Sequence, residues 1–108
     1  MNSRKRAIYL AGPMRGLPDF NYAVFDRAAE FLRGFGHQVY SPAEYPFSGP
    51  RDQFPLRQAF DAYCRFICRD ACTIVLLPGW ENSQGAVAEL ALARVCGLDV
   101  LHLEEDAF

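Results

Sequence analysis

The sequence predicts one α/β domain: a parallel sheet of about four strands, covered by helices on both faces. Three observations carry this. Short apolar runs alternate with segments of helical periodicity, the pattern of parallel strands joined by right-handed crossovers. A chain of 108 residues with 51% apolar and 14% aromatic residues suffices for a single two-sided core near the lower end of comfortable size. The two most unusual loops, Gly12 to Asp19 and Pro78 to Gly85, each follow a predicted strand. In the order 2-1-3-4 those strands lie side by side at the switch point, where such sheets bind ligands beyond their carboxyl ends. The expected architecture is a flavodoxin/Rossmann-like three-layer sandwich spanning residues 1–108 as one domain.

Each element has a local reason. Arg6 to Ala11 reads as the first strand, stopped by Gly12-Pro13. Phe20, Ala23, Val24, Ala28, Phe31, Leu32 and Phe35 share one face of a helix. Asp19 is placed to cap its start, and Gly34 and Gly36 to end it. His37 to Tyr40 is a short strand stopped by Ser41-Pro42, and the proline-rich stretch from Ala43 to Phe54 is a long loop. Pro55 suits the first turn of a second helix running to about Arg69. Cys72 to Leu77 is a third strand, Gly85 to Cys96 a third helix with Gly97 beyond it, and Val100 to Leu103 a fourth strand. Glu104-Glu105-Asp106 reads as a solvated tail.

Composition narrows the function classes. A net charge of −2 gives no basic stripe, which argues against nucleic-acid polymers as partners. Arg4-Lys5-Arg6 reads as a short solvated basic tail. No apolar run approaches the length of a membrane span, and no secretory pattern opens the chain, so the expected compartment is the cytoplasm. At this length some core is expected to be completed by a second copy, giving a homodimer. Cys64, Cys68 and Cys72 recur every four residues, but no nearby histidine completes a metal site, so they are expected to serve as small core hydrophobes. Neither a metal nor another cofactor is expected.

The chemistry concentrates in the two loops. Ser83 and Gly85 fall where a strand has ended and a helix begins, and the unpaired amides and helix dipole there make an anion site. Glu89 lies one turn inside that helix, where a carboxylate beside an anion site is unfavourable unless it has work to do. In the first loop Gly12 permits close approach of a ligand, Gly16 permits closure, and Arg15 offers a planar fork of donors for a phosphate. An ordinary turn with a surface arginine is the alternative in isolation. Its position opposite Ser83 and Gly85 favours a phosphate site. The chain has neither a Walker phosphate loop nor a dinucleotide glycine fingerprint, so a single phosphate fits best.

Tyr9-Leu10-Ala11-Gly12-Pro13-Met14-Arg15-Gly16, together with Leu77-Pro78-Gly79-Trp80-Glu81-Asn82-Ser83-Gln84-Gly85-Ala86 and Glu89, resembles the nucleoside 2-deoxyribosyltransferase-like superfamily over residues 6 to 103. The closest likeness is to a short, often phage-encoded branch. The Ser-x-Gly-x-x-x-Glu spacing is similar to that of the 2'-deoxynucleoside 5'-phosphate N-hydrolases. The resemblance implies Glu89 as the nucleophile, with Arg15, Ser83 and the Gly85 amide holding a nucleotide 5'-phosphate and Tyr9 bordering the sugar. It also implies an aspartate on the helix before the third strand. Its place falls near Cys64, and Asp61, one turn earlier, is either its substitute or an ordinary helix-start carboxylate.

Trp80 either stacks on a nucleobase or covers the sheet edge as a core aromatic. Glu44 matches a recurring segment of that family without an evident role, and His37 and His102 read as structural. The implied activity is cleavage of the glycosidic bond of a deoxynucleoside 5'-monophosphate. Deoxyribosyl transfer between bases and a non-catalytic nucleotide-binding module are the alternatives.

Overall fold

The structure, a computed structural model, describes residues 5–108. Its main elements are β1 (Ala7–Ala11), α1 (Tyr22–Arg33), β2 (Gln38–Tyr40), α2 (Leu56–Arg69), β3 (Thr73–Leu76), α3 (Gln84–Val95) and β4 (Asp99–His102). The four strands are all parallel in the order β2-β1-β3-β4. Tyr9 lies opposite Ile74 in the central pair, and Ile74 opposite Val100.

Alternation along the strands sends successive residues to opposite faces, and both faces are covered. Ile8, Leu10, Val75 and Leu77 pack beneath α1 against Phe25, Ala28, Ala29 and Leu32. Tyr9, Ala11, Ile74 and Leu76 face α2 and α3, meeting Tyr63, Phe66, Ile67 and Leu90. Full burial of each large aliphatic side chain contributes about 1.5–3 kcal/mol. Both clusters use residues from β1 and β3, so these two strands are the spine of the molecule.

Three expectations are corrected. Asp19 does not cap α1. Asp19, Phe20 and Asn21 all have positive φ (50°, 53° and 60°), no side chain caps the helix, and Tyr22 is its first residue. Asn21 instead donates its side-chain amide to the Pro13 carbonyl at 3.0 Å, pinning the first loop. The cysteines are not core residues. Cys64 is half-buried and Cys68 is exposed, because α2 presents Ala59, Tyr63, Phe66 and Ile67 to the sheet and turns its cysteines aside, and Cys72 and Cys96, which lie outside α2, are exposed as well. The long loop from 43 to 54 is as expected, with short 3-10 turns at Pro42–Glu44 and Arg51–Gln53. The basic stretch is only in part a free tail. Arg4 lies outside the described residues, whereas Arg6 donates to Thr73 Oγ1 at 2.8 Å and Asp99 Oδ2 at 3.0 Å, joining the start of β1 to β3 and β4.

Glu44 and His37 have structural roles. Arg33 grips Glu44 with two hydrogen bonds of 2.7 and 2.8 Å and also donates to the Val39 carbonyl, closing the end of α1 onto β2. His37 Nδ1 accepts from the Arg6 amide at 3.1 Å. Among the described residues no helix is long and apolar enough to cross a membrane.

Candidate functional site

The carboxyl ends of β1 and β3 open into a crevice of about 960 Å3. One wall is the loop after β1, with Gly12, Arg15 and Gly16, and the facing wall is the start of α3, with Ser83, Gly85 and Glu89. Two motifs 70 residues apart in sequence thus meet because β1 and β3 pair directly.

Ser83 is the N-cap of α3. Its Oγ accepts from the Ala86 amide at 3.1 Å, and its carbonyl accepts from the Val87 amide at 2.9 Å. This leaves the first amides of the helix, Gln84 and Gly85, to serve a ligand. The Ser83 hydroxyl proton is likewise free to donate outward, since Oγ acts in the cap only as an acceptor. The dipole of α3 adds positive potential at the same place.

Glu89 is only 5% exposed, yet it lines the crevice. Tyr9, wholly buried beneath it, donates its hydroxyl to Glu89 Oε2 at 2.7 Å. Burial pushes the Glu89 carboxyl up to about 8, while the Tyr9 hydrogen bond pulls the other way by favouring the charged form. Burial, reinforced by the neighbouring Glu89, raises the Tyr9 hydroxyl well above its ordinary range, so it remains a donor. Burial also raises the Tyr63 hydroxyl, which donates to the Pro42 carbonyl at 3.3 Å.

The two glycines on the wall differ in kind. A Cβ on Gly12 would lie 2.9 Å from Leu77 Cβ, so packing against the end of β3 itself demands glycine there. A Cβ on Gly85 would meet nothing nearer than Phe60 Cε1 and Ser83 Oγ, both at 3.9 Å, which is ordinary contact. The fold tolerates a side chain at Gly85; the space it would fill is crevice. Gly16 has φ +86°, the left-handed conformation that favours glycine.

The structure brings Tyr9, Gly12, Arg15, Gly16, Ser83, Gly85 and Glu89 together. It does not bring Asp61 or Trp80. Asp61 is paired with Arg65 at 2.9 Å on the exposed side of α2, one turn below the rim, and its side chain is 61% exposed. It is not among the residues that line the crevice. Trp80 packs on the core cluster beneath α3, with its ring centroid 6.1 Å from that of His102, and covers the sheet edge.

Sequence reasoning missed the α2 side of the crevice: Leu56, Arg57, Phe60 and Tyr63. Their spacing along a helix was a usable sign, because positions 56, 60 and 63 fall on one face. Among the described residues no cluster of three or more histidine, cysteine or acidic side chains could hold a metal ion.

Fold and site define the class: a parallel α/β domain with an open crevice at the switch point of its sheet and a buried carboxyl group in its wall. The chain belongs to the family described as Domain of unknown function (DUF4406), which it matches over residues 6–102. No curated protein matches the chain.

Proposed function

We propose that the protein cleaves the N-glycosidic bond of a 2'-deoxynucleoside 5'-monophosphate, with Glu89 acting at C1'. The observation that carries this reading is the buried Glu89–Tyr9 pair, set in a crevice that also holds Arg15 and the capped start of α3. A phosphate held by Arg15, the Ser83 hydroxyl and the amides of Gln84 and Gly85 would fix the sugar over the carboxylate, a positioning effect. Ionised Glu89 then attacks C1' as the bond to the base breaks, and the electron pair of that bond leaves with the base. A carboxylate at this point offsets the oxocarbenium-like charge of the transition state. Water hydrolyses the resulting ester with overall retention, giving a free base and 2-deoxyribose 5-phosphate. Tyr9 holds the attacking oxygen pair in place and supports its charge.

Incubation with a panel of deoxynucleoside monophosphates should release free base, and Glu89→Gln should abolish release while retaining nucleotide affinity. A Glu89→Gln variant that turns over at the parent's rate would remove the carboxylate from the mechanism. The reactive form is the anion, so kcat/KM should rise with pH and level off above about 8. A rate falling through that range would make Glu89 a proton donor instead.

Asp61's absence from the crevice favours a second reading, a nucleotide-binding module without turnover. Nucleotide binding without free base at any pH would select it. Addition of a second base to the assay distinguishes hydrolysis from deoxyribosyl transfer.

A further inference from the structure

The ionisable side chains lining the crevice are Arg15, Arg57, Tyr63 and Glu89. If Glu89 attacks C1', the departing base needs another partner for the charge it acquires. Asp61 is turned away to Arg65. The Tyr63 hydroxyl is already committed to the Pro42 carbonyl at 3.3 Å. Arg15 lies in the loop after β1, on the wall with Gly12 and Gly16, whereas Arg57 opens α2, one turn before Phe60. The phosphate seat already has Arg15, the Ser83 hydroxyl and two helix amides. The α2 wall has Arg57 alone as its charged group, alongside Leu56, Phe60 and Tyr63.

We propose that Arg57 receives the leaving base, and that the preferred substrates are 6-oxopurine deoxynucleoside 5'-monophosphates, those of guanine and hypoxanthine. This rests on the glycosidic-cleavage reading above. A guanidinium presents parallel N–H donors and no acceptor, so it matches a base with two adjacent acceptors. Guanine offers N7 and O6 in that arrangement, whereas adenine offers N7 beside an amino donor and cytosine presents an amino donor. As the C1'–N9 bond breaks, its electron pair delocalises over the purine toward N7 and O6. Arg57 stabilises that negative charge without giving up a proton. The base takes its proton from water after departure, and a second water cleaves the Glu89 ester.

The experiment combines release of free base from dGMP, dIMP, dAMP, dCMP, dTMP and 7-deaza-dGMP with calorimetric affinities for the same nucleotides. The parent protein, Arg57→Gln, Arg57→Lys and Glu89→Gln are compared. Arg57 is exposed, so its variants should keep the parent's melting temperature. The parent should favour dGMP and dIMP over dAMP by at least about tenfold in kcat/KM, and Arg57→Gln should erase the preference. Arg57→Lys should keep part of the rate through its charge but lose the discrimination that needs the fork. Replacing N7 by carbon should slow the parent strongly and Arg57→Gln much less.

Base release without a 6-oxopurine preference, or a preference that survives in Arg57→Gln, overturns the proposal and leaves the glycosidase reading standing. An Arg57→Gln loss equal for all bases and dependent on the 5'-phosphate reassigns the residue to the phosphate. No base release from any nucleotide defeats the glycosidase reading and the leaving-group role with it. The affinities then still decide whether Arg57 reads the base, through the dGMP-to-dAMP ratio in Glu89→Gln.

Discussion

Glu89 is a carboxyl group placed where ionising is expensive, and that has a cost measurable without substrate. Holding it near 8 rather than at its ordinary 4.5 corresponds to a pH-dependent free energy on the order of 5 kcal/mol. The sign follows from proton counts. Below about pH 4.5 the group is protonated in both folded and unfolded chains, and the contribution is intact. Between there and about 8 the unfolded chain ionises while the folded one stays neutral, so stability falls as pH rises. Glu89→Gln keeps an uncharged acceptor for Tyr9 and should remove this slope. Denaturant titrations should find it more stable than the parent by roughly 3–5 kcal/mol above about pH 8. If the variant follows the parent's pH dependence, Glu89 is not the strained group. The sequence made this residue conspicuous by type and spacing, but the partner that tunes it is 80 positions away in the chain. Only the packing of α3 on the sheet reveals that Tyr9 and Glu89 touch.

At the scale of elements, two glycines make opposite predictions. Gly12→Ala would force a Cβ into Leu77 and should cost about 1–3 kcal/mol, read as a lowered melting temperature. Gly85→Ala should leave the fold intact or raise its stability by a few tenths to about 1 kcal/mol, since alanine suits a helix better than glycine. It should nevertheless weaken nucleotide binding, because the added methyl occupies the wall beside Ser83 and Phe60. Unchanged affinity in Gly85→Ala would mean that no ligand approaches that backbone.

The strands and their order were legible because buried parallel strands are short apolar runs punctuated by Gly and Pro. The start of α1 was not. Asp and Asn are residues that tolerate the left-handed region, but Phe20 there is held by its surroundings, edge-on to Phe54 and under the Arg51 guanidinium at 4.7 Å. Nor does a four-residue cysteine spacing say which flank of a helix it occupies. The tertiary packing of Tyr63 and Phe66 decides that.

For the whole molecule, α3 raises the question of a second copy. Its solvent side carries Val87, 45% exposed, and Val95, 85% exposed, two turns apart. A helix apolar on its outer face as well as its inner one is ordinarily covered. We therefore expect a homodimer that uses this face, and light scattering at micromolar concentrations should return twice the chain mass. Val95→Asp should shift it to the monomer. A monomeric parent would show that the face is simply tolerated in water.

The central β1–β3 pairing also governs the order of events as the chain folds. The β1–β3 pairing that brings the two walls of the crevice together joins segments far apart in sequence, and the loop entropy of closing them is lost before the contacts between the walls form. No single helix on the way to the native state presents both walls of the crevice. A ligand that touches both walls should thus recognise only molecules in which the spine has closed. Its binding would slow unfolding rather than hasten folding, and the gain would grow as RT ln(1 + [L]/Kd). Stopped-flow refolding with and without nucleotide would separate the two rates. The appearance of binding competence would then be a clock for the last long-range step of folding.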